Sequence, residues 1–239
     1  MVDAHRTEIR HRWGLGAFVL VEAVYLATSL LLGYLFGGRS GAGTVHVAVI
    51  LLAVGVPSAC AAAVAIVITR LRGNGPRADL ALRWSWRSAG AGLLFGVCGL
   101  LVTIPASVLW IQIVGEDANS AAGQVFGEIR SDWAWAIAVF LLIAIIAPVF
   151  EEIVYRGLLW GAVQQRWGRW AAFGVSTVVF AVAHLEWSRV PLLLVIAIPI
   201  GLARLYTGNL TASIVAHQVT NLLPGLVLMF TVAGVLPAA

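Results

Sequence analysis

An eighteen-residue apolar run, WAWAIAVFLLIAIIAPVF, ends at position 150 and is followed directly by two glutamates, Glu151 and Glu152. A helix of that length is long enough to enter a bilayer. A carboxylate at bilayer depth costs roughly 2.5–3.5 kcal/mol on insertion scales, so two in succession mark a task rather than an accident. The run continues as EEIVYRG, which puts Arg156 four residues beyond Glu152. Two histidines, His184 and His217, lie in later apolar stretches of the same kind.

The whole chain shares this character. Apolar residues make up 61% and charged residues 11% of 239 positions, and the mean hydropathy is +0.95. That excludes a soluble globular domain. Seven apolar stretches, at 14–36, 44–69, 88–114, 133–163, 170–185, 190–206 and 211–236, predict an all-α fold, a polytopic membrane helix bundle of about seven transmembrane helices. The fourth is long, and the fifth and sixth are short. Three divisions follow: a tail at 1–13, N-terminal transmembrane helices at 14–132, and a unit at 133–236 that carries the chemistry.

All fifteen basic residues are arginine. They concentrate in the tail (Arg6, Arg10, Arg12), in the connection 70–87, and around Arg156, Arg166, Arg169 and Arg204, whereas the alternate connections carry Arg39, Arg130 and Arg189. This asymmetry predicts a cytoplasmic N-terminus and, with seven spans, an external C-terminus. The net charge of +4 therefore reflects topology, and no nucleic-acid partner is expected. The basic connection is suited to lie on anionic headgroups. Most tryptophans fall near expected span ends, where amphipathic rings sit, and Trp160 falls on the extended end of the fourth. The first apolar run is too long for a cleavable leader and is followed by GGRSG, so none is expected. Cys60 and Cys98 lie in apolar spans and read as packing residues. Gly92 and Gly96 are spaced to let two helices approach closely. The segment 115–132 suits a short interfacial helix, and Glu22 is a lone acid in the first span, structural or accessory to the site.

The chemistry gathers in the last hundred residues. On a helix Glu152 and Arg156 are neighbours on one face and can pair. Glu151 points about 100° away, without that partner, and is free to act as a general base. A turn near positions 167–168 places Glu151 and His184 at similar depths, about 25 Å along their helices. His217 and Asn221 share a face one turn apart, and both can donate to an oxyanion. Measured from a turn near Gly208, however, His217 is only about 14 Å deep, so tilt or a displaced connection must bring it level.

The ordered set E-E-x3-R (Glu151, Glu152, Arg156), F-x3-H (Phe180, His184) and H-x3-N (His217, Asn221) resembles the CPBP family, which includes type II CAAX prenyl endopeptidases and bacterial Abi-type proteins. The resemblance covers about 133–230. It implies an intramembrane endopeptidase in a bacterial cytoplasmic membrane, acting on a peptide or protein substrate at the lipid bilayer. Glu151 and His184 would activate water, His217 and Asn221 would stabilise the oxyanion, and Glu152 with Arg156 would hold the helix and the local charge. The family is often described as metalloproteases, yet its prenyl endopeptidases look metal-free, and no cofactor is favoured. Zinc remains the alternative, with Glu151, His184 and His217 as ligands, although the H-E-x2-H motif of zincins is missing. Nothing in the sequence points to a prenyl group. Membrane-tethered peptides, exported peptide precursors or bacteriocin-related targets suit the site equally.

Two other classes fit the same residues. One is a non-catalytic membrane regulator or bacteriocin-immunity-type protein that keeps the site as a polar core. The other is a proton-coupled transporter, since intramembrane Glu and His also form relays, although no paired broken helices appear in two related halves.

Overall fold

The computed structural model describes residues 12–36 and 44–237. The basic tail residues Arg6 and Arg10, and Arg39 of the first connection, lie outside them. The long helices are α1 (Leu15–Phe36), α2 (Thr44–Arg72), α4 (Trp86–Val114), α8 (Trp160–Ala183), α9 (Val190–Thr207) and α10 (Leu210–Val232). The short ones are α3 (Pro76–Asp79), α5 (Ala121–Gly127), α6 (Trp133–Phe140) and α7 (Ala147–Glu152). Among the described residues there is no strand, so the fold is all-α and polytopic.

Six stretches are long and apolar enough to cross a membrane. One of them, Trp133–Ala183, has 51 residues. As a single helix it would run about 76 Å, more than twice the hydrocarbon thickness of about 30 Å. It does not run straight. Gly168 adopts φ 79° and ψ 174°, a conformation that breaks α8 and that side chains with a Cβ resist. Tyr155, before the break, packs its ring 5.4 Å from that of Phe180, after it. The chain therefore reverses at Gly168, and this stretch supplies two antiparallel arms, as the sequence predicts.

The outer helices present apolar side chains to their surroundings. Leu30 and Leu101 are each 74% exposed and Tyr34 87%, arrangements that water would punish and hydrocarbon accepts. Cys60 and Cys98 are both free thiols. Within the arm 133–167, the stretch from Glu152 to Val163 is buried on nearly every side.

Close packing of α4 onto α9 and α10 comes from glycine. A Cβ on Gly92 would lie 2.3 Å from the Ala212 carbonyl oxygen, one on Gly96 2.7 Å from Val219 Cβ, and one on Gly99 2.8 Å from Pro199 Cγ. These contacts realise the close approach that the spacing of Gly92 and Gly96 suggests. Gly92→Ala is expected to force α4 off α10, costing about 1–3 kcal/mol as overpacked interiors do. A lower thermal unfolding midpoint in detergent is the readout; an unchanged midpoint contradicts the packing described.

One end of the bundle is closed by the segment 73–85. Asp79 accepts from Trp13 Nε1 at 2.9 Å and from the backbone and side-chain amides of Asn74, each at 3.0 Å. Asn209 Nδ2 donates to Arg83 O and Ser88 Oγ, and Leu210 N donates to Ala81 O. The start of α10 is thus buried beneath this segment, while 164–170 project as an exposed hairpin tip. That offset removes the depth mismatch between His217 and the glutamates. At the other end, the connection 115–132 folds as a 3-10 turn followed by α5, with Phe126 fully buried.

Candidate active site

The helix that carries the glutamates is irregular on both sides of them. Residues Leu141–Ile146 and Ile153–Leu159 form π-helical turns, and α7 between them ends in Glu151 and Glu152. Wide turns of this kind often occur at functional sites, where they re-aim side chains. The first has a chemical cause in Pro148. Ala147 N–H bonds Leu142 O five residues back, and the next bond in that register would need an N–H on Pro148. Ile143 O is left over and accepts instead from Asn221 Nδ2 at 3.1 Å, while Gln218 Nε2 donates to Ile145 O at 3.0 Å. In the second turn Arg156 O accepts from Arg204 Nε at 3.1 Å. Side chains from α9 and α10 thereby hold the distorted helix in place.

The charged centre is a chain of contacts. Arg156 Nη1 donates to Glu152 Oε1 at 2.9 Å, and both side chains are fully buried. The same oxygen accepts from His217 Nδ1 at 3.1 Å. On the other edge of the ring, His217 Nε2 lies 3.8 Å from Glu151 Oε2. Glu151 is the accessible member, its side chain 27% exposed against 4% for His217. Nδ1 faces a carboxylate oxygen and so must carry a hydrogen, an assignment that follows from the bonding. Nε2 is then the atom left for chemistry.

Phe180 joins the two histidines. Its ring centroid lies 4.6 Å from that of His184 and 5.5 Å from that of His217, and the Arg156 guanidinium carbon sits 4.2 Å above its face. His184 directs Nδ1 to Phe180 O at 2.7 Å. That contact fixes the ring at the end of α8 and turns Nε2 away from its own helix. The sequence pairs Glu151 with His184, whereas in the structure the ion-pair contact of Glu151 is with His217. His217 enters the site from a third helix, α10. Asn221 spends one amide hydrogen on Ile143 O and keeps the second.

Glu152 Oε2, Arg156 Nε and Nη2, and Thr177 Oγ1 are buried without a protein hydrogen-bond partner among the described residues. Polar atoms so placed in native interiors are normally met by ordered water. The same described residues contain no cluster of three His, Cys, Asp or Glu side chains fit to hold a metal ion.

Three participants were not singled out by the sequence. Arg204, read as part of a basic flank, is buried against α7's continuation. Trp160, placed by the sequence on the extended end of the fourth stretch, is 2% exposed and donates to Gln164 Oε1 at 2.6 Å. Gln218 was overlooked beside its more conspicuous neighbour His217. An arginine inside the apolar stretch GLARLY was the available signal for the first.

Apolar helices around a buried centre of carboxylates, arginine and histidine define an integral membrane protein whose last four spans hold a polar core. Residues 133–223 match the model of the family described as Type II CAAX prenyl endopeptidase Rce1-like, a family of proteases. No curated protein and no solved structure matches the chain.

Proposed function

We propose that this protein is an intramembrane endopeptidase that hydrolyses peptide bonds of membrane-associated substrates with water activated by Glu151 and His184. The observation that carries the reading is the contact chain Arg156–Glu152–His217–Glu151, within the residues that match a family of proteases. Glu151 is its solvent-reachable end, where a water and a peptide carbonyl can be met.

In this mechanism Glu151 takes a proton from water while His184 orients it, and the hydroxide adds to the peptide carbonyl carbon. Negative charge develops on the carbonyl oxygen. The second amide hydrogen of Asn221 donates to it, joined by His217 Nε2–H in the imidazolium form of the ring, which carries a hydrogen on both nitrogens. Glu151 then returns the proton to the amide nitrogen as the C–N bond breaks, leaving a carboxylic acid and an amine, which exchange a proton to become carboxylate and ammonium. Glu152 and Arg156 hold His217 and the helix rather than the substrate.

No metal takes part in this reading. Zinc on Glu151, His184 and His217 would require all three ligand atoms about 2.0–2.2 Å from one point. Among the described residues no three His, Cys, Asp or Glu side chains converge in that way. Peptidase activity is therefore expected to survive exhaustive chelation. His217→Ala is expected to lower turnover without releasing bound metal, as read by elemental analysis of the purified protein. Stoichiometric zinc, lost with activity on chelation and restored by re-addition, would overturn the metal-free mechanism.

A further inference from the structure

At the end of the bundle closed by the segment 73–85 lies a cavity of about 540 Å³ that the catalytic reading does not use. Its walls come from the hairpin tip and the end of α9, and include Trp160, Gln164, Arg169, Arg204 and Thr207. Arg204 is the unusual member. It is 6% exposed, yet among the described residues it forms no ion pair with a carboxylate. Its Nε is committed to Arg156 O, and its guanidinium lies 5.3 Å over the Trp160 ring. Its two Nη groups make no protein hydrogen bond among the described residues, are not sealed in the interior, and reach the cavity.

A guanidinium withdrawn from water is costly unless paired, and the Glu152 carboxylate that acts on this one at longer range is already bonded by Arg156 and His217. The guanidinium's planar pair of donors matches the oxygens of a phosphate. Arg169 adds a second, exposed positive charge on the same cavity. The Asp79 carboxylate is also in the wall, but its oxygens are engaged by Trp13 and Asn74. We propose that this cavity binds the phosphate of an anionic lipid headgroup, held by Arg204 Nη and Arg169. Its position favours a lipid over a soluble ion. It opens where spans end, beside the exposed rings of Trp167, Trp170 and Tyr206, at the level where headgroups meet aromatic side chains. Basic pockets between transmembrane helices bind phosphorylated headgroups for the same reason.

The site is tied to the charged centre by one hydrogen bond. Arg204 Nε holds the carbonyl of Arg156, and Arg156 holds Glu152. A bound phosphate fixes Arg204 and so stabilises the π-helical turn behind the glutamates. The proposal concerns binding and stands whether or not the protein is a protease.

The test uses the full chain in neutral detergent, with thermal unfolding followed as short-chain phosphatidic acid is added. Saturable stabilisation is expected, with matched phosphatidylcholine giving much less. Arg169→Glu, on an exposed side chain that the fold does not need, is expected to weaken the apparent affinity about fivefold or more, since one basic group near such a surface contributes about that factor. Arg204→Gln is expected to abolish the response. If that variant fails to fold, Arg169→Glu decides alone. Equal affinity in wild type and Arg169→Glu, or an equal response to phosphatidylcholine, overturns the site. Inorganic phosphate binding as tightly as the lipid overturns the lipid as its source. Displacement of phosphatidic acid by a peptide's terminal carboxylate would make the cavity a peptide subsite instead and overturn the proposal.

Discussion

Glu151→Gln is expected to lose about a thousandfold or more of peptidase activity while the protein folds normally. The amide has the shape of the carboxylate but cannot take a proton from water, and positioned general bases contribute about 10²–10⁴-fold. The fold should tolerate the change because Glu151 is partly exposed and its nearest charged contact, His217 Nε2, is 3.8 Å away. Turnover of a membrane-tethered reporter peptide and the thermal midpoint in detergent give the two readouts. Activity equal to wild type would contradict the role assigned to Glu151. A large fall in the midpoint would show that the residue is structural.

Glu152→Gln is expected to fail in the opposite way, through stability. One oxygen of Glu152 receives both Arg156 and His217, at 2.9 and 3.1 Å, and all of this lies in the interior. Removing its charge leaves Arg156, itself completely buried, without a counter-ion. Breaking one side of a buried pair costs about 3–5 kcal/mol, much of it the penalty of the stranded charge. Low yield and a strongly lowered midpoint are therefore expected. Glu152→Gln combined with Arg156→Met should recover part of the loss, because no unpaired charge remains. Additive losses in the double variant would show that the two side chains are not coupled.

The contrast between neighbouring glutamates was partly legible in the sequence. Helical spacing alone pairs Glu152 with Arg156 and leaves Glu151 aside, and the structure has that pair. The reversal near Gly168 and the close approach at Gly92 and Gly96 were legible for similar reasons, since each depends on what glycine lacks. The placement of His217 was not. Counting residues from turns assumes straight helices that start level, and here the start of α10 is recessed under 73–85 while the hairpin tip projects. The π-helical turns were hidden because a periodicity argument imposes 3.6 residues per turn throughout. Pro148, within the apolar run, was the one visible sign that the register would slip. Arg204 was misplaced because charge counting assigned it to a flank, whereas its stem and guanidinium lie against Trp160 and the backbone of the helix that carries the glutamates.

The most direct test of water-activated hydrolysis is to follow the oxygen. Wild-type protein is incubated with a membrane-tethered peptide in H2-18O under chelation, and the products are weighed by mass spectrometry. One 18O is expected in the new C-terminal carboxylate of the cleaved peptide, and the product should be missing when Glu151→Gln is used. No cleavage by wild type of any peptide from a broad membrane-tethered library, or equal labelled product from Glu151→Gln, would contradict the account.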